Sequence, residues 1–327
     1  ARGMLEEIVD TNKNFVDAYD WLAKTHAAAG ELAKSQAVLA DAVAVSPHAV
    51  RRLRTLGEMA METGDSETAE KVIKQVVAKA KYSEFRDPED HVKLVQVLVK
   101  RGDPEQASAV IRDLDRSMGG RKTTAACSAV ASSMVHEHTG DAKRLAESLD
   151  AALAASKDAP SLSAHVKMEL ARKCLQHDRV DGAADVMRDV MRNAPDNAAM
   201  ARAMAVFEEA GRGETALALA QEARQEVVDL VAQGALRAQA RDFRGAVELM
   251  TEAVEKLPDN PQVVFNAAVA VLKCLDNDGW DEKLGKSAHN LVGAMRRLDP
   301  LNPKLPALAG LHQQILKKYD KGARVKA

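Results

Sequence analysis

The stretch LAKTHAAAGELAKSQAVLADAVAVSP (Leu22–Pro47) decides the fold once it is set against LGEMAMETGDSETAEKVIKQVVAKA (Leu56–Ala80), which follows at a shift of 34 residues. Leu22, Ala23 and Gly30 fall on Leu56, Gly57 and Gly64, and after each glycine runs an apolar helix with Ala or Ser near its start. Each unit therefore reads as an amphipathic helix, a Gly-centred turn and a second helix. Glycine takes the left-handed conformation that ends the first helix, and Asp65, Asp103 or Asp141 just after a glycine can cap the next. Proline closes several units, at Pro47, Pro195 and Pro258, because it cannot continue a helix.

Further along, the turn residue recurs at Gly102, Gly140, Asp178, Gly211 and Arg241, in steps of 38, 38, 38, 33 and 30. The excess after Gly64 fits an inserted stretch, Tyr82 to Glu89, between hairpins. The short last step leaves the register open from Glu214 to Ala238. A small residue stands five positions after most turns, at Ser35, Ala69, Ala107, Ala183, Ala216 and Ala246, where two helices must approach closely. Leu145 breaks this rule, which predicts a splayed or shifted fourth hairpin.

Composition agrees with helix throughout. The 327 residues are 46% hydrophobic but only 3% aromatic, so Ala, Leu, Val and Met carry the packing, as expected of helices rather than strands. Lys and Arg number 46 against 48 Asp and Glu, interspersed from end to end, apart from a basic tail at Lys317–Lys326. A grip on nucleic-acid phosphates would call for a basic segment, so a nucleic-acid partner is not expected. An RNA-reading helical array is further disfavoured by the lack of stacking aromatics at regular spacing. Three scattered cysteines, an odd number, indicate a reducing compartment, and no apolar run is long enough to span a membrane. The expectation is a cytoplasmic protein without membrane contact.

These residues resemble the tetratricopeptide repeat. Its pattern of large, Leu-Gly, small and Pro positions is matched by Tyr19, Leu22, Gly30, Ala42 and Pro47, then by Leu53, Leu56, Gly57, Gly64 and Ala69, with an echo at Leu257–Pro261. The resemblance implies an all-α, right-handed superhelical array of helical hairpins, an α-solenoid, with a HEAT or armadillo array as the competitor at longer period. One repeat domain over 1–327 is expected. Residues 1–13 form the second helix of a truncated repeat, 14–304 hold about seven to eight hairpins, and 305–327 form a final helix and tail. Arg2–Thr11, with Met4, Leu5 and Ile8 on one face, lacks a partner helix, which marks the chain as a fragment of a longer protein.

A narrower resemblance rests on Ala18–Ala23, Phe85–His91 and Val264–Ala268 with Gly279-Trp280. These look like the C-terminal repeat region of bacterial response regulators, which carry a CheY-like receiver domain ahead of the repeats. It implies an output scaffold, with a receiver domain in cis as one partner. A freestanding assembly factor for a secretion or pilus system is the alternative.

Chemistry-bearing motifs are sparse. His136 and His138 lie two apart on a helix and point away from each other, so they cannot share a metal. Asp276–Asp281 lacks the glycine and glutamate of a calcium loop. Cys127, Cys174 and Cys274 read as inert packing thiols. No catalytic residue, cofactor or metal is expected, and the chain is read as no enzyme.

What remains is the concave groove, lined by one stripe of each first helix: Asp17, Asp20 and Lys24; Arg51, Arg54 and Glu58; His165, Met168 and Arg172; Val228, Val231 and Ala235; Phe265, Val269 and Leu272. The stripe changes from charged to apolar. A protein or peptide ligand is expected there, with Arg51, Arg54 and Arg172 orienting carboxylates and Phe265 and Leu272 supplying apolar contact. Alternatively, Leu305–Tyr319 forms a last helix that covers the apolar end.

Overall fold

A computed structural model describes residues 2–194 and 197–324; Pro195 and Lys326 lie outside them. Seventeen α-helices, and no strand, occur among the described residues. No described helix is long and apolar enough to cross a membrane. Two compact units divide the chain, Ala1–Gly182 and Ala183–Ala327.

The first unit contains α1 (Arg2–Thr11), α2 (Val16–Ala28), α3 (Leu32–Val45), α4 (Val50–Thr63), α5 (Ser66–Ala80), α6 (Pro88–Lys100), α7 (Pro104–Met118), α8 (Lys122–Thr139), α9 (Ala142–Lys157) and α10 (Ala164–Gln176). From α1 to α9 each helix packs on the one before it, and α10 packs on both α8 and α9. This is hairpin stacking, in which every apolar face is buried only against its neighbours. Ser35, Ala69 and Ala107 are buried where the two helices of a hairpin meet. Leu145 is buried too, and α8 and α9 pack along their lengths, so the fourth hairpin is not splayed.

The seven turn positions read from the sequence share one backbone state. Gly30, Gly64, Gly102, Gly140 and Gly211 have φ between 70° and 80°, and Asp178 and Arg241 have φ of 55° and 62°. Asp65, Asp103, Asp141 and Asp242 then accept the backbone N–H three residues on, at 2.9 to 3.1 Å, and start the second helices. The insertion after α5 is a non-helical loop through Asp87, with Phe85 turned onto the core of α4 and α5.

The second unit runs from α11 (Val180–Arg192), which straddles the boundary, through α12 (Asn197–Glu209), α13 (Gly213–Gln239), α14 (Phe243–Lys256), α15 (Pro261–Asp278), α16 (Glu282–Leu298) and α17 (Leu305–Arg324). Where the register was open, α13 runs unbroken for 27 residues and packs on both α12 and α14. Between Glu214 and Gln233 there is no Gly or Pro, and Ala, Leu, Gln, Glu and Arg dominate, so nothing stops the helix. Gly234 gives close approach where it is needed, since a Cβ there would meet Met250 of α14 at 2.9 Å. Asp276–Asp281 is the end of α15 and the cap of α16, with Asp281 Oδ1 accepting from Leu284 N at 2.9 Å.

Candidate interaction face of the first unit

The face opposite the second helices can be built from side-chain pairing. On α4, Leu53, Leu56, Gly57 and Ala60 are buried toward α5, which leaves Arg51, Thr55 and Glu58 pointing the other way at helical spacing. On α2, Ala18, Tyr19, Leu22 and Ala23 are buried, so Asp17, Asp20, Trp21 and Lys24 form the matching stripe. Arg52 fastens the two helices side by side. Its Nε donates to Asp20 Oδ1 at 3.0 Å, and its Nη2 lies 3.0 Å from both Asp20 Oδ2 and Asp17 Oδ1.

Arg54 joins α4 to α6. It grips Asp90 with Nε and Nη2 at 2.8 and 2.7 Å, and Nη2 also donates to the Phe85 carbonyl at 3.0 Å. This hydrogen-bonded carboxylate holds the Arg54 guanidinium above its ordinary pKa. Asp90 is 2% exposed, so the arginine neutralises a buried charge. Glu58 likewise takes Lys93 of α6, which is also buried.

Beyond α6 the face is closed by the chain itself. Glu89, in the first turn of α6, accepts from Ser163 N at 2.8 Å and from the Ser163 hydroxyl, and Ser163 is the cap of α10. The start of α10 is thereby held against the outward side of α6. His165 follows, with burial pushing its imidazole below the ordinary pKa against the pull of Glu169, while Lys93 pushes the same way as burial. Glu169 is buried and accepts from Arg172.

The expected groove residues therefore meet different fates. Asp20, Arg54, Glu58 and Arg172 hold intramolecular ion pairs, so Arg54 and Arg172 already grip the chain's own carboxylates. Met168 is half-buried on α10. Arg51 and Lys24 are exposed, and neither makes an ion pair among the described residues; Arg51 lies 5.3 Å from the Phe85 ring and Lys24 sits 4.7 Å from the ring of Trp21. Trp21 is 60% exposed. Its exposure, and the roles of Glu89 and Lys93, were missed in the sequence; the spacing of Trp21 from Asp17 and Lys24 on one helical stripe was the available signal.

In the second unit the apolar stripe is not an open surface. Leu272 is 0% exposed in a core that also holds Leu308 and Ile315 of α17; Phe265 and Val269 are half-buried against that core, and α17 packs on α15. The covering role considered for Leu305–Tyr319 is what the helix performs. Tyr319 seals it, donating its hydroxyl to the Leu275 carbonyl at 2.8 Å with its ring 5.4 Å from Trp280. Val231 is half-buried among Val227, Ala253 and Val263, whereas Val228 and Ala235 are exposed.

The remaining reactive groups have structural duties. Burial raises the thiol pKa of Cys127 and Cys274, and that of Cys174 to about 11. Glu137, between His136 and His138, is bound by Lys173 and lies 3.1 Å from His177 Nε2. No group of three metal-ligating side chains comes together among the described residues.

A comparison with curated proteins returns no match. The chain is similar in structure to the crystal structure of the APC/C hetero-tetramer Cut9-Hcn1, with 12% identity, a TM-score of 0.36, and coverage of 96% of this chain and 52% of that one. It thus spans about half the length of that protein. It is also similar to YrrB, described as a TPR protein with an unusual peptide-binding site (14% identity, TM-score 0.30, 81% of this chain, 98% of that one). A third likeness, with the same four values, is to the TPR2AB domain in a pHSP90 complex of yeast Sti1. All three TM-scores are low, so the fold assignment rests on the helix packing described above. Residues 22–84, which contain the stripe of Lys24, Arg51 and Arg54, match the tetratricopeptide repeat family model.

Proposed function

We propose that the chain is a non-catalytic protein-interaction scaffold, and that the α2–α4 face of the first unit is where it takes a polypeptide. The observation that carries this reading is the exposed Trp21 beside Lys24, on the same face as Arg51. An exposed aromatic is apolar surface open to a partner, and Lys24 and Arg51, stacked on rings but without ion pairs among the described residues, remain available to a ligand's carboxylates. Arg54, Glu58 and Glu89 stiffen the floor without competing for that ligand.

The finer reading follows the resemblance of Ala18–Ala23 and Phe85–His91 to the repeat regions of bacterial response regulators. In it the scaffold is a cytoplasmic output element and the polypeptide is a receiver domain supplied in cis. A freestanding adaptor is the alternative, and whether a receiver domain shares a polypeptide with this chain distinguishes the two.

The face itself is tested by placing a photo-crosslinker at Lys24 in cells. A discrete adduct is expected, lost with Trp21→Ala and with Arg51→Glu while helicity is kept. Adducts indifferent to both substitutions would overturn the assignment.

A further inference from the structure

A second surface lies on the other unit and plays no part in the reading above. Between the end of α14, the start of α15 and one side of α16 the structure leaves a cleft of about 670 Å³. Its floor includes Val254, Val264, Leu291, Ala294 and Leu298. Along α16 the residues facing it, Ser287, Leu291, Ala294 and Leu298, recur at i, i+4, i+7 and i+11. The fully buried residues of the same helix, Gly285, Ala288, Val292 and Met295, lie on its core side, and Leu291, Ala294 and Leu298 are half-buried at the edge of that core, open to the cleft.

We propose that this cleft docks an acidic amphipathic helix of another protein. An i, i+4, i+7, i+11 stripe is the seam along which one helix receives another, and the small Ser287 and Ala294 let a second backbone come close. The rim sets the sign of the partner. Lys283, Lys286 and Arg297 are exposed at the cleft with Asn290 between them, and neither Lys283 nor Arg297 forms an ion pair among the described residues. Lys286 pairs only with the exposed Glu282, at 2.8 Å. A single carboxylate, Asp259, stands at the α14–α15 end. Charge complementarity thus asks for an apolar stripe flanked by Asp or Glu. Lys283 and Arg297 are 14 residues apart, roughly 21 Å along the helix at ~1.5 Å per residue, so about four turns of partner helix would reach both. The apolar floor favours such a helix over a nucleic-acid backbone, which would bring phosphates but no side chains to bury.

The test uses the whole chain and a fluorescent synthetic helix with a leucine stripe flanked by glutamates, read by anisotropy. The same helix with lysines replacing the glutamates, and a single-stranded oligonucleotide, serve as comparisons. The acidic helix should bind, weaken with salt, and lose roughly tenfold or more in affinity with K283E/R297E. Ala294→Phe should reduce binding at unchanged salt dependence by filling the floor, while Lys283→Gln with Arg297→Gln gives an intermediate loss. All these positions are exposed or half-buried, and circular dichroism checks that each variant keeps its helices. No binding of the acidic helix, equal binding of its lysine analogue, tighter binding of the oligonucleotide, or affinity indifferent to these substitutions would each overturn the proposal.

Discussion

Glu89 and Ser163 stand 74 residues apart in sequence and are joined twice, through the serine amide at 2.8 Å and through its hydroxyl. Ser163 in turn caps α10 by accepting from Val166 N at 3.4 Å. One carboxylate therefore fixes both the start of a helix and its placement against α6. Glu89→Ala should lower the stability of the first unit by ~1–2 kcal/mol, the combined scale of a lost cap and a lost charged hydrogen bond. Urea unfolding followed by circular dichroism measures this, and Glu89→Gln should recover part of it.

Arg54→Ala removes the cation that grips Asp90 with two hydrogen bonds, leaving a carboxylate that is 2% exposed. The expected loss is ~3–5 kcal/mol, as for a buried pair broken on one side, and larger than for Arg51→Ala at the exposed position beside it. Replacing Arg54 and Asp90 together by apolar residues should cost much less than Arg54→Ala alone. A double-mutant cycle on urea midpoints provides the comparison.

Glu31 ties α1 to the hairpin that follows. His26 Nδ1 lies 2.7 Å from its Oε2, and with Lys34 and Arg2 nearby the carboxyl is held down to about 2 from an ordinary 4.5. Because the folded value is the lower one, the stabilisation is fully present above pH 4.5 and is lost as pH falls toward about 2. Glu31→Gln should abolish this part of the acid sensitivity. The carboxyl signal of Glu31, followed by NMR across that range, reads it directly.

Asp178 and Arg241 hold left-handed backbone without being glycine, at φ of 55° and 62°. That conformation strains a side chain by of order 1 kcal/mol or more, and glycine relieves it while adding entropy to the unfolded chain. Asp178→Gly and Arg241→Gly should each raise stability by ~0.5–1 kcal/mol, seen as a higher melting temperature.

Cys127, Cys174 and Cys274 are buried, and all three thiols are pushed toward higher pKa by burial. At pH 8 a thiol reagent should label none of them rapidly in the folded chain and all three in urea. Alanine or valine in their place should cost about 1 kcal/mol each and leave binding at either surface unchanged.

The punctuation of this fold was legible because a left-handed turn constrains few residue types. Where Asp178 and Arg241 stand in place of glycine, spacing alone located them. The α13 helix was not legible, since 27 residues of good helix formers carry no internal stop. The covered stripe of Phe265, Val269 and Leu272 was ambiguous for a related reason: an apolar stripe looks alike in sequence whether water, a partner or α17 lies on it. Arg54 and Arg172 were expected to await foreign carboxylates. Their own chain supplies Asp90 and Glu169, and pairings of that kind leave no period to read.

The length of α13 also has a mechanical consequence. A linear array pulled from its ends sheds one hairpin at a time, because each hairpin touches only its neighbours. Here the 27 residues, roughly 40 Å of helix at ~1.5 Å per residue, are shared between α12 and α14. Peeling α14 away strips the same rod that seals α12. In an optical trap these three helices should yield in a single rip, a longer step than the two-helix release expected of the hairpins between α2 and α9.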